Sequence, residues 1–204
     1  VLTSSSISGL KDKNGGILLK QTGYVNTNVY LDAVRKLIER DGAFFETEIH
    51  EGDIVVENSV VRYNNFRAER LIVCNGANSG PWFDWLPVKP LKGETLQIKC
   101  DFKERIIINR GVYIIPVPNS NEWRIGATYD HDDNDLTSTK KGRTELAEKA
   151  AELITFPFNI VHQEYGFRPT TPDRRPILGR HPTMERVFAF NGMGTKGVSL
   201  SPYF

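Results

Sequence analysis

Three clusters in this 204-residue chain hold residue types that do chemistry. The first is Tyr165-Gly166-Phe167-Arg168-Pro169-Thr170-Thr171-Pro172-Asp173, where Arg168 closes a strand-like run just before a proline turn. A guanidinium is a planar fork of donors that matches a carboxylate in bidentate fashion, so this position suits an organic acid. The competing reading is a structural ion pair, for example with Asp173. The second cluster is Phe190-Asn191-Gly192-Met193-Gly194-Thr195-Lys196-Gly197-Val198, with three glycines in six residues and a lysine among them. Successive N–H groups in such a turn can face an anion or the electron-rich edge of a heterocycle, especially where a helix begins. It fits neither the G-x-x-x-x-G-K-[ST] phosphate loop nor the G-x-G-x-x-G dinucleotide pattern. The third runs from Leu71 to Gly80, an apolar strand entering the turn Asn75-Gly76. Glycine there lets a ligand approach the backbone closely.

Other groupings carry less. Asp130-His131-Asp132-Asp133-Asn134-Asp135 begins like a calcium loop, but Asp135 stands where glycine belongs and Lys141 where the closing glutamate belongs. A solvated turn is expected instead. His50, His131, His162 and His181 show no metal-ligand spacing, so no metal is expected. No G-x-S-x-G elbow is present. Cys74 and Cys100 form no C-x-x-C pair. Cys74, ending an apolar strand, is expected to be a buried free thiol, and a reducing, cytoplasmic setting follows.

The elements that must position these clusters can be read from periodicity. Leu31, Val34, Leu37 and Ile38 recur at helical spacing, with Thr27 or Asn28 as N-cap and Gly42 as the stop. Short apolar runs at 54–57, 60–63 and 66–74, separated by Asn58-Ser59 and Asn64-Asn65, predict a β-meander. Further strands are expected at 17–19, 94–99, 105–109, 112–117, 122–128, 160–167 and 187–190. A second helix is expected near 143–156, with Leu146, Ala150, Leu153 and Ile154 on one face. The order predicts an α+β chain of two lobes whose contacts cross the chain order. The net charge of +1 gives no electrostatic reason to expect nucleic acid or an anionic membrane. No apolar run approaches the roughly 20 residues a membrane helix needs. Val1-Leu2-Thr3 has neither the charged nor the apolar region of a signal peptide. With no Met at the start, and with Ser201-Pro202-Tyr203-Phe204 as the end, both termini read as cut.

Seven motifs in order carry a resemblance: Glu39-Arg40-Asp41-Gly42-Ala43, Leu71 to Ser79, Pro90-Leu91-Lys92-Gly93-Glu94, Tyr113-Ile114-Ile115-Pro116, Ile125-Gly126-Ala127-Thr128, Gly166-Phe167-Arg168-Pro169 and Gly192 to Pro202. Together the chain resembles the D-amino-acid-oxidase-like family of FAD-dependent oxidoreductases, with the glycine oxidase and sarcosine-oxidase-like members nearest. The resemblance implies an antiparallel or mixed-sheet substrate-binding lobe, and the remaining part of a Rossmann-like, glutathione-reductase-type FAD-binding lobe. By this reading, residues 1–23 are substrate-lobe strand and linker, and 24–85 part of the FAD lobe. Residues 86–163 are the substrate sheet with its helix, and 164–204 return to the FAD lobe.

The resemblance also implies roles. Arg168 would bind the substrate α-carboxylate and Tyr113 would hydrogen-bond it over the flavin. Gly192, Met193, Gly194, Thr195, Lys196 and Gly197 would border the flavin ring. Asn75 and Gly76 would lie near the diphosphate and ribitol. Lys196 matches a substrate-binding lysine of sarcosine-oxidase-like relatives, with a surface lysine as the equal alternative. No cysteine stands at Gly166-Phe167, where relatives with covalent flavin carry one, so non-covalent FAD is implied. The implied reaction is hydride transfer from the α-carbon of a small amino acid to flavin N5, giving an imine that hydrolyses. The implied partner is a small amine, with no nucleic acid, no membrane, and a homo-oligomer open. The family's Gly-x-Gly-x-x-Gly strand–turn–helix, expected near the start of such proteins, is not found at the start of residues 1–204. These residues by themselves are therefore expected to hold little FAD and to be inactive. Two alternatives stay open: oxidation of a glycine-like group on a larger molecule such as modified tRNA, and a binding module without flavin.

Overall fold

The computed structural model describes residues 7–42, 44–50, 52–57, 60–78, 80 and 82–204. The turn expected at Asn58-Ser59, Ala43 and Ser79 of the quoted motifs, and the opening Val1-Leu2-Thr3 lie outside these. In chain order the elements are α1 (Thr27–Arg40), β1 (Ile54–Val56), β2 (Val61–Tyr63), β3 (Phe66–Ala68), β4 (Leu71–Val73), β5 (Lys89–Cys100), β6 (Ile108–Arg110), β7 (Val112–Pro116), β8 (Glu122–Gly126), α2 (Lys140–Ala151), β9 (Phe158–Thr170), β10 (Ile177–Arg180), β11 (Val187–Asn191), and α3 (Gly197–Leu200) after a single 3-10 turn, Gly194–Lys196. The chain is α+β, with antiparallel and mixed sheets. It divides into two compact units, Val1–Gly23 with Leu91–Phe167, and Tyr24–Pro90 with Arg168–Phe204.

The first unit is built on a five-stranded sheet in the order β6-β7-β8-β5-β9. Side chains alternate across a strand, so one face of each strand can be apolar. Val112 and Ile114 of β7, Trp123 and Ile125 of β8, and Leu96 and Ile98 of β5 are all at most 2% exposed and form one core cluster. The helix α2 covers that face through Leu146 and Ala150, followed by Leu153 and Ile154. Phe102 stacks on Phe156 (centroids 4.6 Å apart) and tilts against Trp123 at 5.0 Å. The helix begins at the N-cap Thr139, whose Oγ1 accepts from Gly142 N at 2.9 Å.

Two charged side chains are buried beside this core. Lys92, 1% exposed, lies 2.7 Å from the Asp133 carboxylate and 5.5 Å from the centre of the Tyr165 ring. Glu94, 3% exposed, accepts from Thr139 N (2.9 Å), Thr139 Oγ1 (2.6 Å) and Gln163 Nε2 (2.6 Å). A buried carboxylate needs such partners, and here they include a donor at a helix N-terminus, where negative charge is favoured.

The second unit holds two small sheets, β1-β2-β3 and β10-β11-β4. In the latter, β4 and β11 run parallel, with Leu71, Ile72 and Val73 opposite Val187, Phe188 and Ala189. Val73, Phe83, Val187 and Ala189 make its core, with Trp82 and Met184 packed against them. The helix α1 begins where Asn26 Oδ1 accepts from Val29 N at 3.3 Å and is followed by Gly42 at φ +68. None of its residues is buried.

Several expectations are corrected here. The N-cap is Asn26, not Thr27 or Asn28. The run 66–74 breaks at Glu69-Arg70, and its second half leaves the antiparallel meander for a parallel partner. Residues 17–19 are exposed and belong to no strand. Cys74 is exposed rather than buried, because β4 offers that side to solvent; Cys100 is buried.

Candidate functional site

Parallel strands bring their C-terminal ends to the same side, and in such sheets ligands bind in the crevice beyond those ends. Here β4 runs into Cys74-Asn75-Gly76, and β11 runs into Asn191-Gly192. Asn191, 5% exposed, ties the two turns together. Its Nδ2 donates to Gly76 O at 2.8 Å and to Asn75 Oδ1 at 3.3 Å, and its Oδ1 accepts from Gly192 N at 2.8 Å. Gly76 has φ +63, and among the described residues, its two chain neighbours aside, no heavy atom lies within 4 Å of where a Cβ would stand. The backbone at this turn is open to a ligand.

The glycine-rich turn is seated on the chain that follows Arg168. Gly192 has φ +73, and a Cβ there would lie 2.6 Å from Thr171 Cγ2, so only glycine fits. Gly194 (φ +55) has its Cβ position 3.7 Å from Thr170 Cγ2 and 3.9 Å from Pro169 O. The strand end is itself held, since Thr170 Oγ1 donates to Lys89 O at 3.0 Å and Thr171 Oγ1 to Arg175 O at 2.8 Å. Asp173 accepts from Arg175 N at 3.1 Å, which leads the causes that lower its carboxyl below the usual range. Arg168 is half-buried, near the end of β9. Beyond Gly194, Thr195 and Lys196 are exposed, Met193 and Gly197 half-buried. Asn75, Gly76, Gly192 to Gly197 and the strand end bearing Arg168 thus belong to one unit.

Tyr113 belongs to the other unit. It lies opposite Gly126 in the β7–β8 register. A Cβ on Gly126 would collide with the Tyr113 hydroxyl and Cζ and come within 2.9 Å of Cε1. The phenol ring is therefore laid across β8 on the face away from α2, and Gly126 is the residue that permits it.

The acidic turn is latched rather than merely solvated. Asp130 Oδ1 accepts from the backbone N–H groups of Asp132 (3.0 Å) and Asp133 (3.1 Å), and Lys141 pairs with Oδ2 at 2.8 Å. Lys141 first, then these two N–H groups, lower the Asp130 carboxyl to about 2. Among the described residues no group of three or more His, Cys, Asp or Glu is placed to hold a metal ion. No helix among them is long and apolar enough to cross a membrane.

Residues 3–204 match the family described as FAD dependent oxidoreductase, DAO. The chain belongs to this family. Glycine oxidase from Pseudomonas aeruginosa is 31% identical over 162 residues, which cover 76% of this chain and 44% of that protein. The crystal structure of glycine oxidase from Geobacillus kaustophilus superposes with a TM-score of 0.58 at 27% identity, covering 74% of this chain and 44% of that one. Iminodiacetate oxidase from Chelativorans sp. BNC1 gives a TM-score of 0.74 at 20% identity over 88% of this chain and 52% of that one, a likeness of fold. The chain spans about half the length of the relatives it matches. This DAO-family chain also uses residues that motif reading passed over. In the sequence Asn191 is one neighbour of a glycine run, and Gly126 one residue of the Ile125-Gly126-Ala127-Thr128 motif. The signal for Gly126 is its place beside a strand that carries a half-buried tyrosine on the face opposite its core residues.

Proposed function

We propose that the protein oxidises a small primary or secondary amine that carries a carboxylate, of the glycine, sarcosine or D-amino-acid kind, with FAD as the electron acceptor. The observation that carries this reading is the glycine-rich turn of a DAO-family chain seated directly on the strand end that presents Arg168. Arg168 binds the substrate carboxylate through its fork of donors. The unit containing Tyr113 serves as the substrate lobe and the unit containing β4 and β11 as the cofactor lobe. The open backbone at Gly76 and the close-packed glycines at 192 and 194 suit the approach of a flat heterocycle and its phosphates. Lys196 lends positive charge from the exposed end of that turn. FAD, when bound, supplies the hydride acceptor. The chain's own contribution is orientation: fixing the carboxylate fixes where the α-carbon points. The imine released is hydrolysed by water.

Arg168→Lys in the FAD-loaded protein, assayed with glycine, sarcosine and a neutral amine, tests this. Breaking a desolvated charge pair costs about 2–4 kcal/mol, so kcat/KM for the carboxylate substrates should fall roughly 30- to 900-fold, with the neutral amine little changed. An unchanged kcat/KM for glycine and sarcosine would remove Arg168 from the site.

A further inference from the structure

The sequence contains three Asn-Gly pairs, Asn14-Gly15, Asn75-Gly76 and Asn191-Gly192. In such a pair the following backbone nitrogen reaches the side-chain amide carbon most easily, because glycine puts no Cβ in the way. The fold gives the three pairs different surroundings. Gly15 N is engaged, donating to Asp12 O at 2.7 Å. Asn191 is 5% exposed, with Gly192 N, its own Oδ1 and its Nδ2 all in hydrogen bonds. Asn75 is exposed, and among the described residues Gly76 N has no acceptor. Its Oδ1, however, accepts from Asn191 Nδ2 at 3.3 Å. A donor on a carbonyl oxygen stabilises the negative charge that grows there when the carbon is attacked.

We propose that Asn75 is a site of spontaneous covalent modification, with Asn191 as the group that activates it. Gly76 N attacks Asn75 Cγ, and a C–N bond forms. The Cγ–Nδ2 bond breaks, and ammonia leaves with the proton from Gly76 N. Water then opens the cyclic imide at either carbonyl, giving aspartate or isoaspartate; nothing is oxidised or reduced. The left-handed φ of Gly76 and the empty space around it let the turn accommodate the ring. The product places a carboxylate in the turn that meets the FAD phosphates, and this consequence for cofactor affinity, unlike the modification, rests on the function proposed above.

The test is peptide mapping by mass spectrometry after incubating the chain at mildly alkaline pH, folded and in concentrated urea. In the folded chain Asn75 should convert at least roughly fivefold faster than Asn14 or Asn191, about what one hydrogen bond and access to solvent supply. In urea the three rates should converge. Asn191→Ala should slow conversion at Asn75 roughly threefold. Equal or faster conversion at Asn14 or Asn191 in the folded chain would overturn the assignment, and the wild-type comparison needs no variant to fold. Conversion at Asn75 that is indifferent to Asn191→Ala would overturn the activating role. Neither readout depends on bound FAD, so failure here leaves the oxidase reading to stand or fall by Arg168.

Discussion

Gly142, the third residue of α2, sits where alanine should be the better helix former, yet its replacement should destabilise the chain. A Cβ at this position would stand 2.5 Å from Glu94 Oε1, 2.7 Å from Cδ and 3.0 Å from Oε2. Alanine favours a helix over glycine by up to about 1 kcal/mol. Against this, overpacking a buried site costs about 1–3 kcal/mol. Pushing the carboxylate off even one of its three donors adds about 1.5–3 kcal/mol, because Glu94 is charged and the donors are then left unpaired. The clash wins, and Gly142→Ala should lose about 2 kcal/mol net. Glu94→Ala should itself cost about 3–4 kcal/mol, since Thr139 and Gln163 lose their acceptor. In that background the obstacle is gone, and Gly142→Ala should gain up to about 1 kcal/mol. The coupling energy of the pair is therefore about 3 kcal/mol, well above the noise of a double-mutant cycle. Hydrogen exchange of the α2 amides reads this within one unit, without assuming that both units unfold together. In urea, with a slope near 2 kcal/mol per M, the midpoint should fall by about 1 M for the single Gly142 variant and rise by up to about 0.5 M in the Glu94→Ala background. A Gly142→Ala variant that is stabilised while Glu94 is present would refute the reasoning.

Three further outcomes follow from the same geometry. Asp130 titrates at about 2 in the folded chain against 3.8 for an unperturbed carboxyl, so the stability it contributes is complete above about 4 and is lost as pH falls from 3.8 through about 2. Carboxyl NMR should show the Asp130 titration rise in Lys141→Ala but stay below 3.8, because the two backbone donors remain. Gly126→Ala should lift the Tyr113 ring off β8 and cost about 1–3 kcal/mol by overpacking, measured by denaturant melting; Tyr113→Ala in combination should recover part of that loss. Trp123→Ala, emptying a 1% exposed site at the centre of the sheet core, should cost about 3–5 kcal/mol and abolish cooperative melting of that unit.

Local patterns were legible wherever a single element carried them. Leu31, Val34, Leu37 and Ile38 with Gly42 announced α1, and Leu146 and Ala150 announced the buried face of α2, with Leu153 and Ile154 buried just past its end. The mixture of these helices with strands gave the α+β class. The family followed from motif order, which tolerates loose individual matches. Pairing was not legible. An apolar triplet such as Leu71-Ile72-Val73 serves a meander or a parallel sheet equally well, and its partner lies 116 residues on at Val187. Ile17 to Leu19 has the same apolar look and stays exposed. Buried charge was equally hidden, since Lys92 and Glu94 read as ordinary strand polar residues until Asp133, Thr139 and Gln163 arrive from distant segments. Asn191 is the sharpest case in the site: its Oδ1 stays with the neighbouring Gly192 N, but its Nδ2 reaches back to the Asn75-Gly76 turn that follows β4.

The interleaving of the two units has a consequence for synthesis. Neither unit is a continuous stretch of chain. As the polypeptide emerges from the ribosome, β4 is made early but has no parallel partner until β11 follows, and the Asn75 turn has no clasp until Asn191 is out. The five-stranded sheet, whose strands all fall between them in the chain, can by contrast be completed once β9 has been made, before the last strands exist. Contacts of such long sequence separation are slow to form and leave apolar edges waiting. The β10-β11-β4 sheet should accordingly be the last part to mature, and the part for which a chaperone holding the nascent chain matters most.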